Sequence, residues 1–261
     1  MDFKSIIFDM DETSATITLN RPEAMNSIND RVVEEVSSAL DQAEKKPLLR
    51  CLVLTGAGGA FCVGADLKFV LKVLEGEAPI SGFLEQTKAL LSKLETFPAP
   101  VIGAVNGMAL AGGLEILLCC DLIIAVESAR FGDAHSNFGL IPGGGSTQRL
   151  PRRLGISRAK QLIFFGDFYT AQDMERWGLV NQVVPDGGLE EAVSNVKEML
   201  AGKSPLVLRR IKSLINRGLD MPLEEGLDME ISAMEDHAQS HDMREGVAAF
   251  KEKRPPSFQG R

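Results

Sequence analysis

Cysteine and histidine are scarce in this chain. Its 261 residues include four cysteines and three histidines, and no two cysteines have the C-x-x-C spacing. The ligand spacings typical of a metal site are therefore missing, and we expect no bound metal. We expect the cysteines to be reduced and to lie in or near the core, at Cys51, Cys62, Cys119 and Cys120.

Basic charge and membrane-directed segments are also lacking. The formal net charge is −8, which argues against a general nucleic-acid surface. The first residues, MDFKSIIFDMDETS, carry acids on both sides of a short apolar run and do not resemble a signal peptide. The longest apolar run, residues 101–125, is interrupted by Asn106, Glu115 and Asp121, which favours a buried strand, helix and strand over a membrane span. We expect a soluble, cytoplasmic enzyme without a nucleic-acid or membrane partner.

Three common active-site motifs are missing as well. The glycine-rich segment GAGGAFCVG, residues 56–64, matches neither the phosphate-binding G-x-x-x-x-G-K-[ST] loop nor the dinucleotide-binding G-x-G-x-x-G pattern. The G-x-S-x-G turn that carries a nucleophilic serine does not occur. Any chemistry must therefore come from other residues.

The hydrophobic periodicity predicts an α/β fold. Segments with the pattern of buried strands alternate with amphipathic helices in the first half of the chain, which predicts parallel strands joined by right-handed crossovers. The predicted strands are 15–20, 51–55, 101–105, 122–126 and 180–184. The predicted helices include one after Pro22 and one starting near Asp66, followed by 80–97, 113–120, 171–177, 189–201, 204–217, 222–237 and 242–251. After Arg254 we expect irregular structure.

Glu115 is the most informative residue, because it places a carboxylate in an almost wholly apolar stretch. The paired glycines Gly112 and Gly113 separate a predicted strand from a predicted helix. The free N–H groups of such a helix start suit an anion or a developing oxyanion. A base three residues away would suit carbonyl chemistry. Alternatively, Glu115 only complements the helix dipole, and the glycines only permit close packing.

Six segments resemble the crotonase superfamily of enoyl-CoA hydratases and isomerases. They occur in order over nearly the whole chain: LNRPEAMNSI, AFCVGADLK, PVIGAVNGMALAGGLEILLCCDLIIA, ARFGDAHSNFGLIPGGGSTQRLPRRLG, YTAQDMERWGLVNQVVP and REGVAAFKEKR. The resemblance implies a spiral of ββα units, residues 1–195, which carries an acyl-CoA site. It also implies a C-terminal helical trimerisation region, residues 196–261. The family assembles as homotrimers or dimers of trimers, and coenzyme A is part of its substrate rather than a separate cofactor.

The resemblance also assigns candidate site residues. The backbone N–H groups of Ala65 and Gly112 would form an oxyanion hole for the thioester oxygen, and Glu115 matches one of two hydratase glutamates. Further residues would contact coenzyme A or the acyl chain: Ala24, Ala60, Phe61, Gly64, Asp66, Leu67, Ile141, Pro142, Gly143, Phe250 and Lys253.

The chain departs from the hydratase pattern at the second glutamate, because this position is His135. An imidazole can transfer a proton near neutral pH. His135 could therefore act as a catalytic acid–base or water-holding group, shape the pocket wall, or bond only to the backbone. The neighbouring Asp133 need not point into the pocket.

Several other side chains have two interpretations. Arg149, Arg152 and Arg153 could attract the phosphates of coenzyme A or form a solvated helix face. Cys62 lies near Ala65 but has no adjacent base in the sequence, so a core position is favoured over a nucleophile. Asp66 fits a helix start better than a proton-transfer group.

These observations predict an enzyme that adds water to a 2-enoyl-CoA through an enolate held by the oxyanion hole. A double-bond isomerase that uses Glu115 as its single base is the main alternative. Hydrolysis or decarboxylation of an acyl-CoA, and a non-catalytic acyl-CoA-binding subunit, are the others.

Overall fold

Two sheets organise the protein, for which a computed structural model describes residues 3–76 and 80–261. The larger sheet has six strands in the order β1-β2-β3-β5-β7-β10, and the smaller has four in the order β4-β6-β8-β9. In the larger sheet the strands are β1 (Ile6–Met10), β2 (Ser14–Leu19), β3 (Cys51–Gly56), β5 (Val101–Val105), β7 (Leu122–Val126) and β10 (Gln182–Val184). In the smaller sheet they are β4 (Ala60–Cys62), β6 (Met108–Leu110), β8 (Arg130–Gly132) and β9 (Tyr169–Thr170).

The strand pairing confirms the predicted α/β class. From β2 to β10 the neighbouring strands of the larger sheet run parallel, whereas β1 pairs with β2 as an antiparallel hairpin. Each of β3, β5 and β7 is followed within a few residues by a short strand of the smaller sheet, β4, β6 or β8. The chain therefore advances as pairs of strands, one in each sheet, and the first two pairs each lead directly into a helix.

Eleven α-helices surround these sheets in the described part of the chain. They are α1 (Asp30–Glu44), α2 (Leu67–Leu74), α3 (Ile80–Glu95), α4 (Gly112–Leu117), α5 (Ser146–Leu154), α6 (Ile156–Phe165), α7 (Ala171–Trp177), α8 (Leu189–Ala201), α9 (Pro205–Gly218), α10 (Leu223–Ala238) and α11 (His241–Glu252). Two short 3-10 helices cover Pro22–Ala24 and His135–Phe138. Helix α1 begins and packs as its sequence predicts. The Asn29 side chain accepts a hydrogen bond from the N–H of Val32, and the apolar face of the helix is buried.

The longer predicted elements are confirmed with small shifts at their ends. Helix α4 ends earlier than the predicted 113–120. The N–H groups of Cys119 and Cys120 bond to carbonyls three residues back, so the chain tightens into a turn there. The predicted strand 180–184 is shorter, at Gln182–Val184. The chain after Arg254 is irregular, as expected.

The core includes residues from both sheets and from the helices that pack on them, and all four cysteines are buried in it as free thiols, which confirms their predicted state. The predicted boundary between residues 195 and 196 falls inside α8, and the division into two regions stays a prediction. Residues 1–2 and 77–79 of the predicted core region lie outside the described ranges. Within those ranges no helix has both the length and the apolar character to cross a membrane.

Candidate active site

A cavity of about 170 Å³ lies beside the loops that precede α2 and α4, which follow the neighbouring strands β4 and β6 of the smaller sheet. Six of the predicted site residues line it, namely Ala65, Gly112, Glu115, His135, Ile141 and Gly143. The rest of its wall is mainly apolar and includes Ile28, Val70, Val73, Phe83, Leu84, Thr87, Leu140 and Gly144. The fold thus collects residues that are up to 116 positions apart in sequence, Ile28 to Gly144, around one space.

Glu115 lies on α4 and is only 3% exposed. Its Oε1 atom accepts two backbone hydrogen bonds, from the N–H of Gly144 at 2.8 Å and from that of Ser146 at 3.0 Å. Among the described residues Oε2 accepts none. Burial raises the pKa of this carboxyl, although both N–H groups and the charge of His135 act in the opposite direction. Glu115 is therefore a carboxylate with one anchored oxygen and an increased proton affinity.

Close backbone contact between two loops fixes the start of α4. A Cβ atom on Gly113 would lie 2.0 Å from the carbonyl oxygen of Cys62, so only glycine fits. Just before the helix, Ala111 has φ 46° and ψ −116°, a conformation that costs energy for a residue with a side chain. Packing thus requires the second glycine of the pair, Gly113, and the same packing holds α4 against the segment that carries Cys62.

The N–H groups of Ala65 and Gly112 are both unused among the described residues. Ile28 holds the first loop, because its N–H donates to the carbonyl of Gly64 and its carbonyl accepts from the N–H of Asp66, each at 2.8 Å. This parallel bridge leaves the N–H of Ala65 turned away from Ile28. A Cβ atom on Gly112 would lie 3.6 Å from the nitrogen of Ala65, so the two loops are in contact. Two adjacent free donors at one cavity can polarise a carbonyl oxygen.

His135 begins a 3-10 turn directly after Asp133 and Ala134. Its Nδ1 atom lies 2.9 Å from Oδ1 of Asp133, whose side chain has no exposed surface. Burial of the ring disfavours its charged form, but the hydrogen bond and the negative charge of Asp133 outweigh this effect and raise the pKa of His135. Asp133 is not among the described residues that line the cavity, and it contacts the site only through His135.

Other predicted contact residues lie beside the cavity or away from it. Ala60 and Phe61 are buried in β4 and support the loop that carries Gly64 and Ala65. Leu67 is exposed on α2, Pro142 lies between two lining residues, and Ala24 ends the first 3-10 helix. Phe250 is exposed on α11, and Lys253 caps the end of that helix in the left-handed conformation.

Asp66 caps α2, as its helix-start interpretation predicted. Its carboxylate accepts a bond from the N–H of Lys68 and pairs with Arg21 at 2.8 Å. Cys62 is fully buried, and burial raises the pKa of its thiol to about 12, which argues against a nucleophile.

The arginines of α5 were expected either to meet phosphates or to form a solvated face, and the structure shows two of them in contacts within the protein. Arg149 binds Glu95 at 2.8 Å and donates to the carbonyl of Gly144 at 3.0 Å. Arg153 donates to the carbonyls of Leu118 and Cys120 at the end of α4. Arg149 thus stabilises the loop that binds Glu115, and Arg153 stabilises the end of the helix on which Glu115 lies. Arg152 is exposed and bonds to its own helix.

Sequence reasoning missed the two donors to Glu115 and the partner of His135. Gly144 and Ser146 contribute main-chain atoms, so their side chains carry no signal. For Asp133 the acid itself was visible two residues before His135, but their contact depends on the left-handed conformation of Ala134, which the sequence does not reveal. Within the described ranges, no group of three or more acidic, histidine or cysteine side chains is placed to hold a metal ion.

Comparisons with known proteins agree with this geometry. The sequence profile of the family described as Enoyl-CoA hydratase/isomerase matches residues 9–261. The chain is 36% identical to crotonyl-CoA hydratase of Syntrophomonas wolfei, with 99% of each chain covered. It is 38% identical to 1,2-epoxyphenylacetyl-CoA isomerase of Escherichia coli, with 98% of each covered. The crystal structure of an enoyl-CoA hydratase from Bacillus anthracis superposes with a TM-score of 0.94 at 39% identity, covering 99% of this chain and 100% of that one.

Proposed function

The chain belongs to the enoyl-CoA hydratase/isomerase family, and from this membership we propose that it adds water to the double bond of a 2-enoyl-CoA thioester. The family implies an acyl-CoA substrate. The observation that carries the choice of hydration is that two proton-transfer groups, Glu115 and His135, line the same cavity as the two free N–H groups.

The thioester oxygen binds between the N–H groups of Ala65 and Gly112. These donors make Cβ of the conjugated enoyl group electrophilic, and they stabilise the negative charge that develops on oxygen when the enolate forms. The acyl chain extends along the apolar wall formed by α2 and α3, past Val73 and Leu84. Coenzyme A is part of the substrate, and the reaction needs no other cofactor.

Proton transfer is divided between the two side chains. Glu115 takes a proton from water through Oε2 while the water oxygen bonds to Cβ, and the π electrons of the C=C bond move into the enolate. His135 then gives its proton to Cα, which restores the thioester carbonyl and yields a 3-hydroxyacyl-CoA. The proton now on Glu115 returns to His135 through solvent, so the enzyme is unchanged after each cycle.

We also propose the remaining contacts and the assembly. Ala24, Ala60, Gly64 and Asp66 border the coenzyme A moiety, and Phe250 and Lys253 approach its nucleotide from the C-terminal region. Chains form a homotrimer or a dimer of trimers, which is supported by large apolar side chains exposed on α10 and α11, namely Leu223, Leu227, Ile231, Met234, Val247 and Phe250. Light scattering of the purified protein tests the assembly, and a monomer would contradict it. A cytoplasmic location remains a prediction, since a 38% identical relative from Bos taurus is named as mitochondrial.

A turnover assay tests the reaction. Crotonyl-CoA and longer 2-enoyl-CoA homologues are mixed with the protein, and we expect the absorbance of the conjugated thioester to fall as a 3-hydroxyacyl-CoA forms. Folded protein that leaves every chain length unchanged would contradict the proposal.

Isomerisation is the second candidate, because Glu115 alone could move a proton between Cα and Cγ and because the description of the family includes enoyl-CoA isomerases. A 3-enoyl-CoA in heavy water separates the reactions. A 3-hydroxyacyl product supports hydration, whereas a conjugated enoyl product that incorporates deuterium and is not hydrated supports an isomerase.

A further inference from the structure

We propose that Asp133 is a positioning residue, which keeps the His135 ring protonated and turned so that Nε2 is the nitrogen that faces the substrate. This inference rests on the proposed function, in which His135 donates the proton to Cα. Neither the family membership nor the second-glutamate position assigns a role to Asp133.

The geometry of the pair is that of an oriented imidazole. Oδ1 of Asp133 lies 2.9 Å from Nδ1 of His135, so Nδ1 is occupied and Nε2 is the ring nitrogen left for a ligand. The backbone between the two residues and the backbone that follows His135 are both held in place. Ala134 holds φ at 57°, and the carbonyl of His135 accepts a 3.0 Å bond from the N–H of Leu140. The ring therefore has a defined direction, with Nδ1 held by Asp133.

The charge of the pair follows from its burial. Asp133 is fully buried, and its Oδ2 atom has no hydrogen-bond partner in the described part of the chain. A buried carboxylate with an unpaired oxygen is costly unless an adjacent positive charge compensates it. His135 is the cation within reach. The pair is therefore most stable as carboxylate and imidazolium, which is the form that a proton donor needs before each turnover.

The surroundings of His135 contain one further charged group, Glu115 on α4, which also favours the imidazolium. Helix α6 packs against the 3-10 turn through uncharged groups at its C-terminal end, the carbonyls of Phe164 and Gly166. The basic residues of that helix are exposed, and Arg158 stacks over the ring of Trp177. No positive charge on a packed element therefore counters Asp133 among the described residues.

This arrangement predicts a pH dependence with a definite sign. Proton donation requires the imidazolium, so kcat/KM falls as the pH rises through the pKa of His135 in the free enzyme. Replacing Asp133 with asparagine removes the charge and keeps the shape. The pKa of His135 should then fall by about one pH unit or more. The basic limb of the profile should move to lower pH by the same amount, which a loss of stability alone would not produce.

Nitrogen NMR of the histidine rings tests the coupling without substrate. The protein has three histidines, and His135→Gln assigns the signal of interest. In the wild type we expect His135 to titrate above 6.5 and His237 to titrate below it, since burial and Arg210 lower the pKa of His237. We expect Asp133→Asn to lower only the His135 value. The matched control is Asp242→Asn, which removes another buried carboxylate, beside His241, and should leave the titration of His135 unchanged.

Each result decides one question. A wild-type His135 that titrates below 6.5 overturns the inference, even if Asp133→Asn does not fold. An Asp133→Asn protein with an unmoved His135 pKa and an unmoved basic limb also overturns it. A coupled pair in a protein that hydrates no enoyl-CoA would leave the Asp133–His135 relationship standing and would refute the proposed function instead.

Discussion

The backbone N–H of Gly144 donates a 2.8 Å hydrogen bond to Oε1 of Glu115, 29 residues away in sequence. Together with the N–H of Ser146, it ties one oxygen of the carboxylate to the start of α5. The other oxygen is then the one that can meet a substrate. Arg149 completes this support, because it holds the carbonyl of Gly144 while it pairs with Glu95.

Gly144→Ala should reduce activity with little loss of stability. A Cβ atom there would lie 2.5 Å from Oε2 and 2.8 Å from Cδ of Glu115, so the carboxylate must move. A displacement near 1 Å at a reacting group costs about 100-fold in rate, and we expect a fall of that size in kcat with crotonyl-CoA. The control is Gly187→Ala, where a Cβ atom meets nothing within 4 Å. Full activity of Gly144→Ala would show that the position of the carboxylate is not critical.

Gly113→Ala, in contrast, should lower the stability of the fold. Its Cβ atom would lie 2.0 Å from the carbonyl oxygen of Cys62, and neither backbone can yield without separating α4 from β4. Overpacking of this kind costs about 3 kcal/mol of unfolding free energy. Urea denaturation followed by circular dichroism measures it. A variant as stable as the wild type would mean that α4 can shift away from β4 at no cost.

Glu115→Gln should abolish most of the catalysis. Glutamine can accept both N–H bonds through its own Oε1, so the loop structure is kept while the base is lost. Loss of a general base lowers the rate by about 10²- to 10⁴-fold, and kcat rather than KM should carry the decrease. Steady-state kinetics with a 2-enoyl-CoA series checks this. A decrease confined to KM would assign Glu115 to substrate binding.

The same variant should become more stable relative to the wild type as the pH rises above 4.5. Burial raises the folded-state pKa of Glu115 above its ordinary 4.5, so its protonated form favours the fold. That contribution is fully present below 4.5 and is lost as the pH rises through the folded pKa. Glutamine cannot ionise and does not lose it. Melting temperatures measured across the pH range should therefore diverge as the pH increases and converge in acid. A constant difference would contradict a pH-linked cost at this carboxyl.

The sequence predicted most of the long elements but missed β1, α5 and α6, and it predicted none of the short strands of the smaller sheet. Helix α1 is long enough for burial to impose a helical period, which is visible in Val32, Val36 and Leu40. Strand β3 is instead recognisable as a short apolar run that is buried almost throughout. Strands β4, β6, β8 and β9 have two or three residues each, too few for any alternation. Their conformation comes from pairing with one another, which is a tertiary effect.

In the candidate site, too, some features could be predicted from the sequence and others depend on the fold. Glu115 and His135 could be located because a charged or titratable side chain stood out in a recognisable segment. The support for Glu115 comes from backbone atoms of Gly144 and Ser146, and any residue type except proline offers the same N–H. Only the folded chain brings those atoms to the carboxylate.

His135→Gln separates hydration from a one-base reaction. If His135 supplies the proton at Cα, this variant should lose about 10²- to 10⁴-fold in hydration rate, because glutamine fills similar space without a transferable proton. An isomerase that works through Glu115 alone would keep its rate with a 3-enoyl-CoA. The measurement is therefore paired: consumption of a 2-enoyl-CoA and conjugation of a 3-enoyl-CoA, each in the wild type and the variant. Glu115→Gln serves as the matched control, since it removes the one base that both reactions require. Loss of hydration alone supports His135 as the acid, whereas hydration retained in His135→Gln and lost in Glu115→Gln would leave His135 as part of the pocket wall.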